Sequence, residues 1–148
     1  MLIENAFEVP ASPEAAWELL LDVPRVVPCM PGATLDEVVD ERTWKATVKV
    51  KLGPIGMTFA SDVVREAVDA DERRIVLAVT ARETKGRGGA RATVTSTVLP
   101  HGDGGARVQI VTDLALSGVA GQFGGPVVKA VASGLVKRFA ECLAQQLA

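Results

Sequence analysis

The sequence predicts an α+β fold: a curved antiparallel sheet of about seven strands wrapped on a long C-terminal helix, with two short helices after the first strand. Three observations carry this. Residues 34–116 alternate between apolar and polar side chains, the period of a strand with one dry face. After Val119 the period changes to about 3.6, that of a helix. The 148 residues show no repeat, no low-complexity tract and no linker, so a single domain over 1–148 is expected. A sheet with one dry face needs a cover, and the terminal helix is the available one.

The elements follow in order. Ile3, Asn5, Phe7 and Val9 share one face of a strand over Leu2 to Val9, which stops at Pro10. Ser12 suits an N-cap, Pro13 the first helical position and Glu14 the positive end of the helix dipole. A helix from Pro13 to about Leu21 buries Ala16, Trp17 and Leu20. Pro24 and Pro28 allow only a short second helix or an irregular turn, closed by Pro31–Gly32. Thr34 to Val39 is a short strand. Thr43 to Leu52 sets Trp44, Ala46, Val48, Val50 and Leu52 against a wet face with Lys45, Lys49 and Lys51. Gly53–Pro54 turns the chain. Met57, Phe59, Ser61 and Val63 share the next face, and a phase slip at Val63–Val64 predicts a bulge. Ile75, Leu77, Val79 and Ala81 form the following face, broken at Gly86 to Gly89. Ala92, Val94, Ser96 and Val98 come next, then a turn over Pro100 to Gly105. Val108, Ile110, Thr112, Leu114 and Leu116 complete the sheet. From Val119 to Leu147, Phe123 or Gly124, Val128, Val131, Leu135, Phe139 and Cys142 lie on one helical stripe.

Composition narrows the function. Lys+Arg 16 against Asp+Glu 18 gives a net charge of -2, with no overall basic field for nucleic acid. Met1 to Glu8 carries two acids, no base and no long apolar run, so no signal peptide is expected. Val119 to Val136 is apolar but holds Gln122, Lys129, Pro126 and Gly124–Gly125, which suits a half-buried helix better than a membrane span. Cys29 and Cys142 follow no metal or redox spacing. They are expected as buried, unreactive thiols in a reducing compartment, and no metal site is expected.

Catalytic groups are scarce. His101, the one histidine, sits in turn chemistry, and there is no tyrosine. Lys85-Gly86-Arg87-Gly88-Gly89 lacks the phosphate-loop spacing and precedes a strand; with Arg82 and Arg91 it is either a flexible connection or a basic rim for an acidic partner or anionic lipid. Glu83 is in phase with Ala81, and at a cavity mouth it could orient a polar ligand head. The strand is expected to end before it, leaving Glu83 in solvent. Gly118, Gly121, Gly124, Gly125 and Pro126 read equally as close packing or as a helix start that moves to admit a ligand.

Four stretches carry a family resemblance: Val9-Pro10-Ala11-Ser12-Pro13-Glu14 with Trp17; Cys29-Met30-Pro31-Gly32; Val48 to Phe59 through Gly53-Pro54-Ile55-Gly56; and Leu116 to Gly124. In this order the chain resembles the G-subunit family of carbon monoxide dehydrogenase, within the START-like (SRPBCC, helix-grip) superfamily. The resemblance implies a grip-shaped cavity for a hydrophobic ligand, with menaquinone or ubiquinone as the bound molecule. It also implies a role at the cytoplasmic face of the membrane, linking a molybdenum carbon monoxide dehydrogenase or related hydroxylase to the electron-transport chain. Some similar proteins add a C-terminal extension that reaches the membrane. This sequence stops at Ala148, so transient membrane contact is expected.

On this reading Leu52, Met57, Phe59, Leu77, Val79, Val94 and Ile110 form the sheet wall of the cavity. Phe123, Val128, Val131 and Leu135 face them from the helix, and Met30 belongs to the lid. No catalytic residue is assigned. Two rival readings stand beside the carrier. One is a polyketide cyclase-like enzyme using Glu83 and Thr112 as an inward polar pair; the other is an assembly factor that binds an immature enzyme through the basic loop.

Overall fold

The computed structural model describes residues 1–148. The chain runs β1 (Leu2–Val9), α1 (Pro13–Leu21), α2 (Val23–Val26), a 3-10 turn (Val27–Cys29) and β2 (Ala33–Asp40). It continues with β3 (Thr43–Leu52), β4 (Ile55–Asp69), β5 (Arg74–Glu83), β6 (Gly88–His101) and β7 (Gly105–Gly118). A second 3-10 turn (Ala120–Gln122) leads into α3 (Gly125–Leu147). The seven strands form one antiparallel sheet in the order β1-β7-β6-β5-β4-β3-β2. The expected α+β architecture is the observed one.

Local chemistry accounts for the helices. The Ala15 N–H donates to Ser12 Oγ at 3.1 Å, and Pro13 opens α1 with no N–H to satisfy. α3 begins later than its apolar stripe. Gly124 caps it in extended conformation and Pro126 occupies its first turn, so Val119 to Phe123 forms the short 3-10 turn and its flanks. The bulge also falls later than the phase slip suggested: the β4–β5 register shifts between Arg65 and Ala67. β6 starts inside the expected break. Gly88 (φ +130°) faces Gly118 across the ladder, and a Cβ on Gly88 would lie 2.0 Å from the Ser117 carbonyl oxygen. Only glycine permits the two backbones to meet there.

The interior has two cores. The first joins Val9, Trp17, Leu19, Ile75, Val98, Val108, Phe139 and Leu143, where α1 and the C-terminal half of α3 meet the β1 side of the sheet. Phe7 and Phe139 pack edge-to-face with centroids 6.2 Å apart. The second, smaller core joins Leu52, Met57, Phe59, Ala81 and Ala120 at the β3–β4 turn.

One expectation is corrected outright. Cys29 and Cys142 are joined in a disulfide, with Cα atoms 5.3 Å apart, tying the turn after α2 to α3. Their separation of 113 residues hides the pairing from any spacing rule. The cysteines therefore give no argument for a reducing compartment. Gln146 Nε2 donates to the Arg25 carbonyl oxygen at 2.9 Å and lies 3.2 Å from Cys29 Sγ, adding a polar tie across the same junction.

Candidate functional site

The site is a space between helix and sheet. The α3 backbone comes close to β1, to β3 and to the turn at Cys29, and stands away from the middle strands. The middle of the inner face is also where side chains are short. Ala46, Ser61, Ala81 and Ala90 lie side by side across β3, β4, β5 and β6. Next to this row, Val79 pairs with Ala92, and Leu77, Val94 and Thr112 form a further row. The residues of these two further rows are half-buried, not buried, so solvent reaches the inner face between the two cores. From the helix, Leu135 is half-buried and belongs to neither core; it stands on the stripe between Val131 and Phe139.

The predicted lining residues divide among three places. Leu52, Met57 and Phe59 are buried in the second core, with Phe123 and Val131 packed against it. Ile110 is buried in the first core, with Leu77, Val94 and Met30 against it. Val128 is buried outside both. Val79, Val94 and Leu135 border the space, whereas the largest apolar residues have become core. Ala92 and Ser61 complete the border. Ser61 already stood in phase with Met57 and Phe59 in the sequence, a polar residue on a dry face.

Two open clefts lie elsewhere. One of about 480 Å³ sits where α1 and α2 approach β2, β3 and β4, with Glu18, Asp22, Asp40 and Glu41 around Trp44 and Arg65. The Arg65 guanidinium lies 5.5 Å from the Trp44 ring centroid and donates to the carbonyl oxygens of Leu21 and Glu41. The other, about 400 Å³, includes the outward residues Glu66, Thr80, Arg91, Thr93 and Asp113. Of the predicted lining, only Val79 touches either cleft.

Glu83 corrects a second expectation. β5 reaches it, its side chain is fully buried, and it is not in solvent. Its oxygens accept the backbone N–H groups of Thr58 (3.1 Å), Lys85 (2.8 Å) and Arg87 (3.3 Å). Arg87 Nε and Nη2 reach the two carboxylate oxygens at 3.1 and 3.2 Å, and Nη2 continues to the Gly56 carbonyl oxygen at 2.8 Å. The Val119 N–H then binds the Arg87 carbonyl oxygen at 2.8 Å. One ion pair thus fastens the β5–β6 turn to the β3–β4 turn and to the approach to α3.

Arg87, helped by the backbone N–H donors and opposed by desolvation, holds the Glu83 carboxyl down to about 2. Such a group stays ionised through the neutral range and has no free oxygen for proton transfer. It is also far from Thr112. Leu77 aligns through Val94 with Thr112, and Glu83 lies six residues further along β5, ~20 Å at strand rise. The inward polar pair is therefore not assembled. His101 ends β6 in solvent, 3.9 Å from Glu8 Oε1.

The Glu83 pair sets an acid limit on the fold. A carboxyl whose pKa is lowered on folding stabilises above its unfolded value near 4.5, and that contribution is lost as pH falls toward 2. Glu83→Gln is expected to lower the urea midpoint at pH 7 and to flatten its decline between pH 4.5 and 2. Equal steepness in both proteins across that interval would remove the assignment.

Comparison with known proteins agrees with this architecture. The sequence pattern of the family described as the G subunit of carbon monoxide dehydrogenase (CoxG) matches residues 6–148. No curated protein sequence matches. Among solved structures, a conserved protein from Geobacillus kaustophilus superposes with a TM-score of 0.87 at 17% identity, covering 99% of this chain and 95% of that one. A START superfamily protein from Mycobacterium smegmatis gives 0.65 at 18%, covering 99% and 96%. The Zhui aromatase/cyclase from Streptomyces gives 0.62 at 15%, covering 99% and 90%. At these identities the likeness shows a shared START-like fold.

Proposed function

The chain belongs to the CoxG family, the G subunit of carbon monoxide dehydrogenase, and we propose that it is a non-catalytic carrier for a hydrophobic ligand, a respiratory quinone such as menaquinone or ubiquinone. In this reading it passes the quinone between a molybdenum carbon monoxide dehydrogenase, or a related hydroxylase, and the membrane electron-transport chain. The observation that carries the proposal is the solvent-reached, mostly apolar inner face between the two cores, bordered by Val79, Ala92, Val94 and Leu135. Apolar walls with few polar groups suit a lipophile. The buried acid of the sheet is locked to Arg87, which favours binding over acid–base chemistry.

Two further features support the partners. No helix is long and apolar enough to cross a membrane, and this reading takes membrane contact to be transient. The outward residues Lys49, Lys51, Arg82, Lys85 and Arg91 are basic and exposed, while Asp62 beside them lies 3.8 Å from Lys45. That charge suits an acidic face on a partner enzyme or lipid surface.

Native mass spectrometry of the purified chain, with organic extraction of what it carries, tests the reading. A stoichiometric isoprenoid quinone is expected. Leu135→Trp, which thrusts a large ring from α3 into the space, is expected to weaken menaquinone binding at least about tenfold and to leave the circular dichroism spectrum unchanged. An empty protein that takes up no added quinone would overturn the carrier and favour an assembly factor acting through its basic face.

A further inference from the structure

The alanine row has one polar member, and its oxygen is unused. Ser61 is 6% exposed and points inward from β4 between Ala46 and Ala81, in phase with buried Phe59. Hydroxyl bonds are made by Ser12, Thr47 and Ser117, not by Ser61. No polar side-chain atom sealed from solvent lacks a partner, so the Ser61 oxygen, having none, opens onto the interior space. A strand that needed only packing at this position has alanine on either side as its example. A hydroxyl held here without a partner is a donor awaiting an acceptor.

The surroundings define that acceptor. Ala46 and Ala81 beside Ser61 are buried, whereas the next inward pair, Val79 and Ala92, is half-buried and leaves width for a flat ring against the sheet. The basic groups of the inner face, Arg65 and Arg87, are engaged with backbone carbonyls, Trp44 and Glu83. A charged head such as a carboxylate would therefore enter without a counter-ion, which is costly in an enclosed site. A neutral oxygen suits the single hydroxyl.

Building on the carrier reading, we infer that Ser61 is the polar anchor of the bound ligand. Its hydroxyl donates to a neutral carbonyl oxygen of a ring-bearing lipophile whose ring lies against the half-buried pair Val79 and Ala92. The anchor fixes the orientation of the ring, while the apolar walls supply most of the affinity.

The experiment uses the full chain and menadione (2-methyl-1,4-naphthoquinone). Binding is read by tryptophan fluorescence, and the carbonyl stretch of bound quinone by infrared difference spectroscopy. Wild type is expected to show one carbonyl band shifted to lower wavenumber. Ser61→Ala is expected to bind about three- to tenfold more weakly and to lose that shift. Ser61→Thr, which restores a donor on a strand-compatible side chain, is expected to regain it. Ser61→Leu crowds the adjoining space and is expected to abolish binding. An unaltered band and affinity in Ser61→Ala would overturn the anchor. If Leu135→Trp still blocked binding in that case, the carrier reading would survive alone. A wild-type protein that binds neither menadione nor an extracted quinone would overturn both.

Discussion

Serine at both Cys29 and Cys142 is expected to lower the stability of the folded chain by about 4–5 kcal/mol, through the freedom it returns to the unfolded state. The bond joins residues 113 apart, and loops of that length lose the most closure entropy when cross-linked. For a chain of this size the loss corresponds to a fall in melting temperature of roughly 10–20 °C. Unfolding followed with and without a phosphine reductant measures it. Reduced wild type should fall to the level of the double-serine variant, and the variant itself should ignore the reductant. An oxidised wild type whose midpoint is unmoved by reduction would contradict the expectation. The effect is also local. Cys29 is buried in the first core and Gln146 reaches back to Arg25 and Cys29, so the turn after α2 should lose protection from hydrogen exchange first.

The second large effect is at Phe139. Its ring is buried in the first core and meets Phe7 of β1 edge-on, fastening the C-terminal half of α3 to the sheet edge. Phe139→Ala is expected to cost about 3–5 kcal/mol in urea unfolding, since the cavity left behind cannot close without moving the helix. Leu135, one turn earlier on the same stripe, is the internal comparison. It faces the open space and belongs to neither core, so Leu135→Ala should cost less than about 1 kcal/mol. A loss at Leu135 equal to that at Phe139 would mean that the inner face is filled and that no room for a ligand exists.

Much of the fold was legible because its physics is periodic. Alternation through residues 34–116 placed the strands, and the change of period placed the last helix. Ser12 and Pro13 fixed the start of α1. The errors have identifiable causes. The apolar spacing of Val119 and Phe123 continues that of α3, yet Gly124–Gly125–Pro126 breaks the backbone that would carry it. Glu83 was expected beyond its strand, but the ladder runs past it, with the Thr84 N–H still paired to the Thr58 carbonyl oxygen. Its burial is tolerable only with Arg87, and a contact across a turn leaves no periodic trace. The disulfide was hidden because nothing in two distant cysteines says that they meet.

The site was harder for a different reason. Large apolar side chains were expected as its walls, and large side chains fill space. Leu52, Met57 and Phe59 made a core together with Ala81, while the room lies beside Ser61, along half-buried Val79 and Ala92. A binding space on a sheet is found where an inward side chain is short and left half-covered, and Ala92, with Ser61 polar on a dry face, carried that signal in the sequence.

The bond between Cys29 and Cys142 also changes what counts as one piece. It closes residues 29–142 into a covalent ring containing β2 through β7 and most of α3, with β1, α1, α2 and the last few residues as tails. A protease that cuts the turn at Gly53–Pro54 or at Gly86 opens the ring without dividing the molecule. The nicked protein gains one water, migrates as a single species without reductant, and separates into two fragments once thiols are restored.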